Sequence, residues 1–224
     1  MALTPGTIKI IESRNDLSPY LFHFTKNANA FATLQQILKD GKLLDMSKSG
    51  HICFSEAPLT SMGNLFDIFN RHSNPTYAPF GVAINRAKLF DMGARPVIYG
   101  GSDEHLLLDE SIRWRFQYFN PNITDFTWLR GWRIQLPELN LSFDDMFIIT
   151  QTEDQLLELT TEEDVLIDTN SMDGQHYMAA SSFNARTYKA IALDEMLKLS
   201  LLSDHDLRLI IEKQKIGDDA QNQR

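Results

Sequence analysis

The chain has 224 residues, which suits one domain or one domain with an appendage. Its 43% hydrophobic and 23% charged residues are ordinary for a globular fold with a real core. No apolar run approaches the roughly 20 residues needed to cross a bilayer. Met1–Lys9 lacks the basic start and apolar block of a secretory signal, and a single cysteine, Cys53, forbids an intrachain disulfide, so a cytoplasmic protein with no membrane association is expected. The net charge of −9 is uneven. Met1–Gln135 holds 14 Lys+Arg against 12 Asp+Glu, and Leu136–Arg224 holds 7 against 18. The first part is therefore free to bind a phosphate-bearing ligand, whereas the acidic remainder reads as a solvated face.

In chain order, Thr7–Ser13 opens with three isoleucines but is too short to assign. Tyr20–Thr25 reads as a short strand with aromatics flanking His23. Asn29–Asp40 is a helix: Phe31, Leu34, Ile37 and Leu38 recur at helical spacing and Gly41 supplies a stop. Ile52–Ser55 is a strand, Pro58–Phe69 a helix, and Gly81–Ile84 a strand. Arg95–Tyr99 is β-rich and ends at Gly100-Gly101. Arg113–Phe119 alternates polar with aromatic residues and reads as a half-buried strand, as does Trp128–Leu136.

Met146–Thr150 is a strand, Glu153–Leu159 a helical turn or two, and Val165–Ile167 a short strand. Gly174–Tyr177, with His176, reads as a surface loop. Tyr188–Ala192 is a strand, Leu193–Leu202 a helix and Asp204–Lys213 a terminal helix, with a polar tail from Lys215 expected to fray. This order lacks regular β-α-β alternation and predicts an α+β fold: a largely antiparallel sheet core, with helices at the N-terminal side and C-terminus.

Generic signatures are missing. There is no dinucleotide glycine fingerprint, no phosphate loop and no nucleophile elbow. His51, Cys53, His72 and His176 match no standard zinc spacing, so no metal is expected. What the sequence offers is an ordered set of segments. It runs Phe22-His23-Phe24-Thr25, a helix over Leu34–Gly41, and Ile52-Cys53-Phe54-Ser55-Glu56-Ala57-Pro58-Leu59. There follow Tyr77-Ala78-Pro79-Phe80-Gly81-Val82-Ala83-Ile84 and Gly93-Ala94-Arg95-Pro96-Val97-Ile98-Tyr99. Asp125-Phe126-Thr127-Trp128-Leu129-Arg130-Gly131-Trp132-Arg133-Ile134 closes the set.

Over roughly Tyr20–Gln135 this set resembles the ADP-ribosyltransferase-like fold of AbiGi-type abortive-infection proteins and, more distantly, of DarT-type DNA ADP-ribosyltransferase toxins. The resemblance implies an ADP-ribosyltransferase-like core over residues 1–150, an acidic extension over 151–213 packed on it, and a tail at 214–224. It also implies a protein of phage defence or of toxin–antitoxin type that takes NAD and modifies a nucleic-acid or protein acceptor, with a cognate toxin or antitoxin as a further partner. Such chemistry breaks the nicotinamide–ribose bond through an oxocarbenium-like transition state, so a carboxylate must sit near the developing positive charge.

By resemblance, His23 and Thr25 hold the adenosine-side ribose, and Ser55 and Glu56 follow the strand lining the nicotinamide pocket. On the residues alone, His23 reads first as a core histidine between two Phe residues, and only the ordered resemblance reverses that; Ser55-Glu56 also reads as a helix start. Tyr77, Phe80 and Tyr99 are candidates to stack on a base or on nicotinamide. Arg113, Arg115 and Arg130 are candidates for phosphate or acceptor contacts, and Arg133 for the catalytic strand.

The main departure from the family pattern is at 131. The run is expected to read Arg-Glu-Trp-Arg, with Glu as the catalytic carboxylate, and here it reads Arg130-Gly131-Trp132-Arg133. Three explanations stay open: a pseudoenzyme that still binds nucleotide, a copy that has lost its activity, or a substitute acid among Asp125, Glu138 and Glu56. Whether the chain is an NAD-dependent enzyme is therefore undecided by its sequence. The alternative is a non-catalytic, antitoxin-like regulator that keeps the fold and binds a partner through its acidic C-terminal third.

Overall fold

The computed structural model describes residues 18–160, 167–170, 176–179 and 189–221. Strand β1 (Tyr20–Phe24) leads into helix α1 (Ala30–Asp40), which ends at Gly41 with φ +64°, a left-handed conformation that glycine adopts without strain. Then come β2 (Lys42–Leu44), β3 (Ile52–Ser55), helix α2 (Leu59–Phe69) and β4 (Gly81–Asn85). The Asn85 side chain accepts from the Lys88 amide and starts the short helix α3 (Arg86–Asp91), which the sequence reading lacked.

The run Arg95–Tyr99 divides into β5 (Arg95–Pro96) and β6 (Ile98–Gly100). The expected strand Arg113–Phe119 is divided: its first half ends a 3-10 helix, Glu110–Arg115, and its second half is β7 (Phe116–Tyr118). The expected strand Trp128–Leu136 is a 3-10 turn over Thr127–Leu129, a left-handed Arg130, and then β8 (Gly131–Ile134).

Next are β9 (Glu138–Asn140), β10 (Met146–Thr150) and helix α4 (Glu153–Thr160). Strands β11 (Ile167–Asn170) and β12 (His176–Ala179) pair antiparallel, so His176 lies in a ribbon rather than in the expected loop. The chain ends with β13 (Ala190–Ala192), helix α5 (Leu193–Leu199) and helix α6 (Asp204–Gln221), which runs well into the segment expected to fray. The readings at Thr7–Ser13, Val165 and Gly174 lie outside the described residues. Among the described residues, no helix is long and apolar enough to cross a membrane.

Seven strands form one sheet in the order β13-β10-β4-β1-β3-β8-β5, antiparallel throughout except for the β10–β13 pair. The fold is thus mixed, with a mostly antiparallel sheet. Alternation along the strands sends side chains to two apolar layers. Leu21, Ile52, Phe54, Val82, Ile84, Trp132, Ile134 and Ile148 pack with Leu34 and Leu38 of α1. Phe22, Phe24, Ala83 and Ile149 pack on the other side with Met62 and Phe66 of α2 and with Leu193.

Two glycines mark close approaches. A Cβ at Gly81 would lie 2.2 Å from the His23 carbonyl oxygen, so β4 comes this near β1 only without a side chain. A Cβ at Gly63 of α2 would lie 2.7 Å from Leu197 Cδ1, which sets α5 directly on α2.

A candidate ligand cleft where two strands part

Strand β1 pairs with β4 along its whole length, but with β3 only at Phe22 and Ser55. Beyond that pair the two strands separate, and a cleft of about 710 Å³ occupies the gap. This volume falls within the range of small-molecule and cofactor sites. The parting explains how residues from opposite faces of the sheet reach one site. His23 shares the α1 side with Leu21 and meets the Phe54 ring at 5.8 Å, whereas Cys53, Ser55, Gly131 and Arg133 stand in register on the other face. All of them line the cleft.

Four polar groups on the cleft wall are fixed by main-chain carbonyls. The half-buried His23 places Nδ1 2.8 Å from the Cys53 carbonyl oxygen. A carbonyl only accepts, so Nδ1 carries the proton. Burial pushes the His23 pKa down, against the Cys53 hydrogen bond and with help from Lys26, which favours the neutral ring with a bare Nε2. The Thr25 hydroxyl donates to the Phe80 carbonyl at 3.1 Å, and that of Ser55 to the Leu129 carbonyl at 2.8 Å. Ser55 Oγ also accepts from the Ala57 amide at 3.1 Å. The Tyr99 hydroxyl donates to the Phe126 carbonyl at 3.1 Å and accepts from the Gly131 amide at 2.9 Å.

Tyr77 lines the cleft as well, its ring edge-on to Trp128 at 6.0 Å, and burial raises its pKa to about 12. Arg133 lines the cleft too, but its guanidinium faces the neighbouring β7 segment. Nη1 donates to the Trp114 and Phe116 carbonyls, and Nη2 to Gln117 Oε1 at 2.6 Å. Its Nε is buried without a hydrogen-bond partner.

No family model, curated protein or solved structure matches this chain. Its chemistry must therefore be read from the cleft itself.

Of the twelve residues singled out in the sequence, His23, Thr25, Ser55, Tyr77, Tyr99, Gly131 and Arg133 line the cleft. The other five do not. Glu56 pairs with Arg86, accepts from Trp132 Nε1 at 2.9 Å, and is largely buried by doing so. Phe80 packs its ring on Phe31 at 5.2 Å and lends only its carbonyl. Arg113 donates to the Leu108 and Leu106 carbonyls, and Arg115 to the Pro96 carbonyl. Because both sit in a 3-10 helix, they do not form the phosphate-facing pair that a strand would have made. Arg130 is exposed at a turn with φ +47°.

The candidate substitute acids are engaged elsewhere. Glu138 pairs with Lys42 across the β2–β9 ribbon, and Asp125 accepts from the amide and hydroxyl of Thr127. The carboxylates that do line the cleft are Asp40 and Asp45, on the wall built by α1, β2 and the loop after it. The Asp45 carboxylate is spent on its own loop. Desolvation would raise its pKa, but hydrogen bonds from Ser47, from the Gly50 and Ser49 amides and from Ser49 Oγ together hold it at about 2.

Proposed function

We propose that this chain is an ADP-ribosyltransferase-like protein of the phage-defence or toxin–antitoxin type, that its cleft binds NAD, and that with glycine at 131 it binds without transferring. The observation that carries this reading is the meeting of His23, Thr25, Ser55, Tyr77, Tyr99 and Gly131 in one cleft, although they are scattered over more than a hundred positions and both faces of the sheet. Each was selected from the sequence as part of one ordered resemblance. Their convergence in one cleft supports that reading.

The groups present fit a nucleoside. His23 Nε2 and Thr25 Oγ1 offer lone pairs to sugar hydroxyls. The Tyr77 and Tyr99 rings line the same cleft as Gly131 and suit a planar heterocycle. Lys26 is an exposed cation lining the cleft and suits a pyrophosphate.

Scission of the nicotinamide–ribose bond develops positive charge on the sugar. Glycine at 131 brings no charge to meet it. Glu56, Asp125 and Glu138 are each held by other partners, and Asp45 is locked within its loop. The chain is thus expected to retain the ligand and leave the bond intact. A carboxylate at 131 would turn the same cleft towards a nucleic-acid or protein acceptor.

The test is titration calorimetry with NAD on this protein and on His23→Ala, with nicotinamide release assayed for Gly131→Glu. Binding that depends on His23, with release gained only in Gly131→Glu, is the expected result. Absence of NAD binding in all three proteins would reject the reading.

A further inference from the structure

Helix α6 carries apolar side chains that the fold does not cover. None of its described side chains belongs to either apolar layer, and Leu209, Ile210 and Ile211 stay 43%, 37% and 49% exposed. The helix is closed at its start by Ser203, whose hydroxyl donates to the Asp206 carboxylate at 2.6 Å and accepts from the Asp206 amide at 3.2 Å. A helix of this length is marginal in water by itself, and what holds such helices in proteins is the packing of an apolar face. Leu207, Ile210 and Ile211 recur at three- and four-residue spacing and form that face, with Leu209 on the far side.

We infer that this face is covered by α6 of a second copy of the chain, lying antiparallel to the first across a two-fold axis. The charges along the helix select that occupant. The chain from residue 136 onward holds 7 Lys+Arg against 18 Asp+Glu, and two such regions repel. Residues 205–213 are the exception, because Asp206 and Glu212 are balanced by Arg208 and Lys213. Asp206 and Lys213 are seven positions apart, and so lie on the same flank of the apolar face, two turns from each other. In a two-fold antiparallel pair each flank meets its own counterpart with the chain direction reversed. Stacking Leu207 of one copy on Ile210 of the other, in two symmetric layers, then brings Asp206 of each copy beside Lys213 of the other. A parallel pair would set Asp206 against Ile211, a charge against an apolar side chain, so the reversed direction is the matched one.

The experiment is sedimentation velocity on the full chain over protein concentrations from about 1 to about 200 μM, the span in which small interfaces of this kind associate. A reversible monomer–dimer equilibrium within that span is expected, weaker at high salt than at low. Ile210→Glu should abolish it. Lys213→Glu sets like charges opposite each other at both symmetric positions and should weaken association on the order of 10-fold, and Lys213→Ala by less. Asp206→Lys mixed with Lys213→Glu should form a heterodimer tighter than the dimer of either variant alone, because the exchanged charges match again. If circular dichroism shows that Asp206→Lys loosens the cap at Ser203, the graded loss through Lys213→Ala to Lys213→Glu carries the test by itself. A chain that stays monomeric throughout overturns the inference and leaves the face to a partner of another kind. A dimer whose affinity none of these substitutions changes overturns it as well, by placing the contact elsewhere on the molecule.

Discussion

Replacing Glu56 with alanine removes the group that ties the end of β3 to the start of α3 and to β8. Its carboxylate is paired with Arg86 and accepts from Trp132 Nε1 at 2.9 Å, and its side chain is only 14% exposed. Truncation leaves the indole N–H of a residue 9% exposed without a partner, and strands a guanidinium that is itself 32% exposed. Removing one member of a buried pair costs about 3–5 kcal/mol, and losing a charged hydrogen bond about 1.5–3 kcal/mol. Arg86 reaches water, so the lower part of that range applies, and a loss of about 2–3 kcal/mol is expected. With a urea slope of about 2–3 kcal/mol/M for a chain of this size, the unfolding midpoint should fall by about 1 M. Glu56→Gln keeps the acceptor for Trp132 and should lose about half as much. NAD affinity should be unchanged in both variants under conditions where they are folded. A midpoint that moves by less than about 0.2 M, accompanied by lost NAD binding, would refute this assignment and make Glu56 a ligand group instead.

Gly81→Ala should prevent folding, because its Cβ would lie 2.2 Å from the His23 carbonyl oxygen in the centre of the sheet; a cooperative unfolding transition close to that of the unaltered chain would contradict it. Gly131→Ala is milder. Its Cβ would stand 3.1 Å from both Tyr99 Oη and Val97 Cγ2, which must give by a few tenths of an ångström, and the expected loss is about 1 kcal/mol by urea denaturation. His23 and His51 both have pKa values lowered chiefly by burial. Below the ordinary histidine value of 6.5, the unfolded chain binds protons that the folded chain refuses, so stability should be full above that pH and decline as pH falls beneath it. Melting temperatures between pH 7.5 and 5.5 should show the decline, and His23→Gln should flatten it. Near pH 3 and below, protonation of Asp45 should loosen the loop on the cleft wall, an effect that Asp45→Asn would remove and that amide exchange at Gly50 would report.

Where apolar side chains recur at a clean period, the elements could be read from the sequence: β1, α1, β3, α2, β4 and β10 lie within a residue or two of their expected bounds. Alternation misled at Arg113–Phe119, because a 3-10 helix also sends neighbouring side chains in different directions. There Trp114 Nε1 returns to the Ser111 carbonyl three residues earlier, and Arg113 to Leu108. Trp128 and Trp132 looked like one strand face, yet the left-handed Arg130 between them sends Trp128 to the α2 layer and Trp132 to the α1 layer. The wall formed by α1 and β2 was missed for a different reason. Thr33, Gln36 and Asp40 have the pattern of a solvated helix face, and β2 is three residues long with a partner, β9, almost a hundred positions later. A cleft residue of that kind is recognisable only once the sheet is assembled.

The parallel edge strand has a consequence for how the protein must be made. Strand β13 joins β10 from some forty residues further on, and α5 then covers α2, with Leu197 against Gly63. On a ribosome, β1, β3 and β8 are all synthesised well before the strand and helix that complete their sheet and cover α2. A chain released early, or cut after residue 135, would leave the apolar layer around Phe22, Met62 and Ile149 incomplete and the sheet edge open to other chains. The strand and helix of the acidic C-terminal third finish the scaffold, so ligand binding is expected only in chains translated past residue 199.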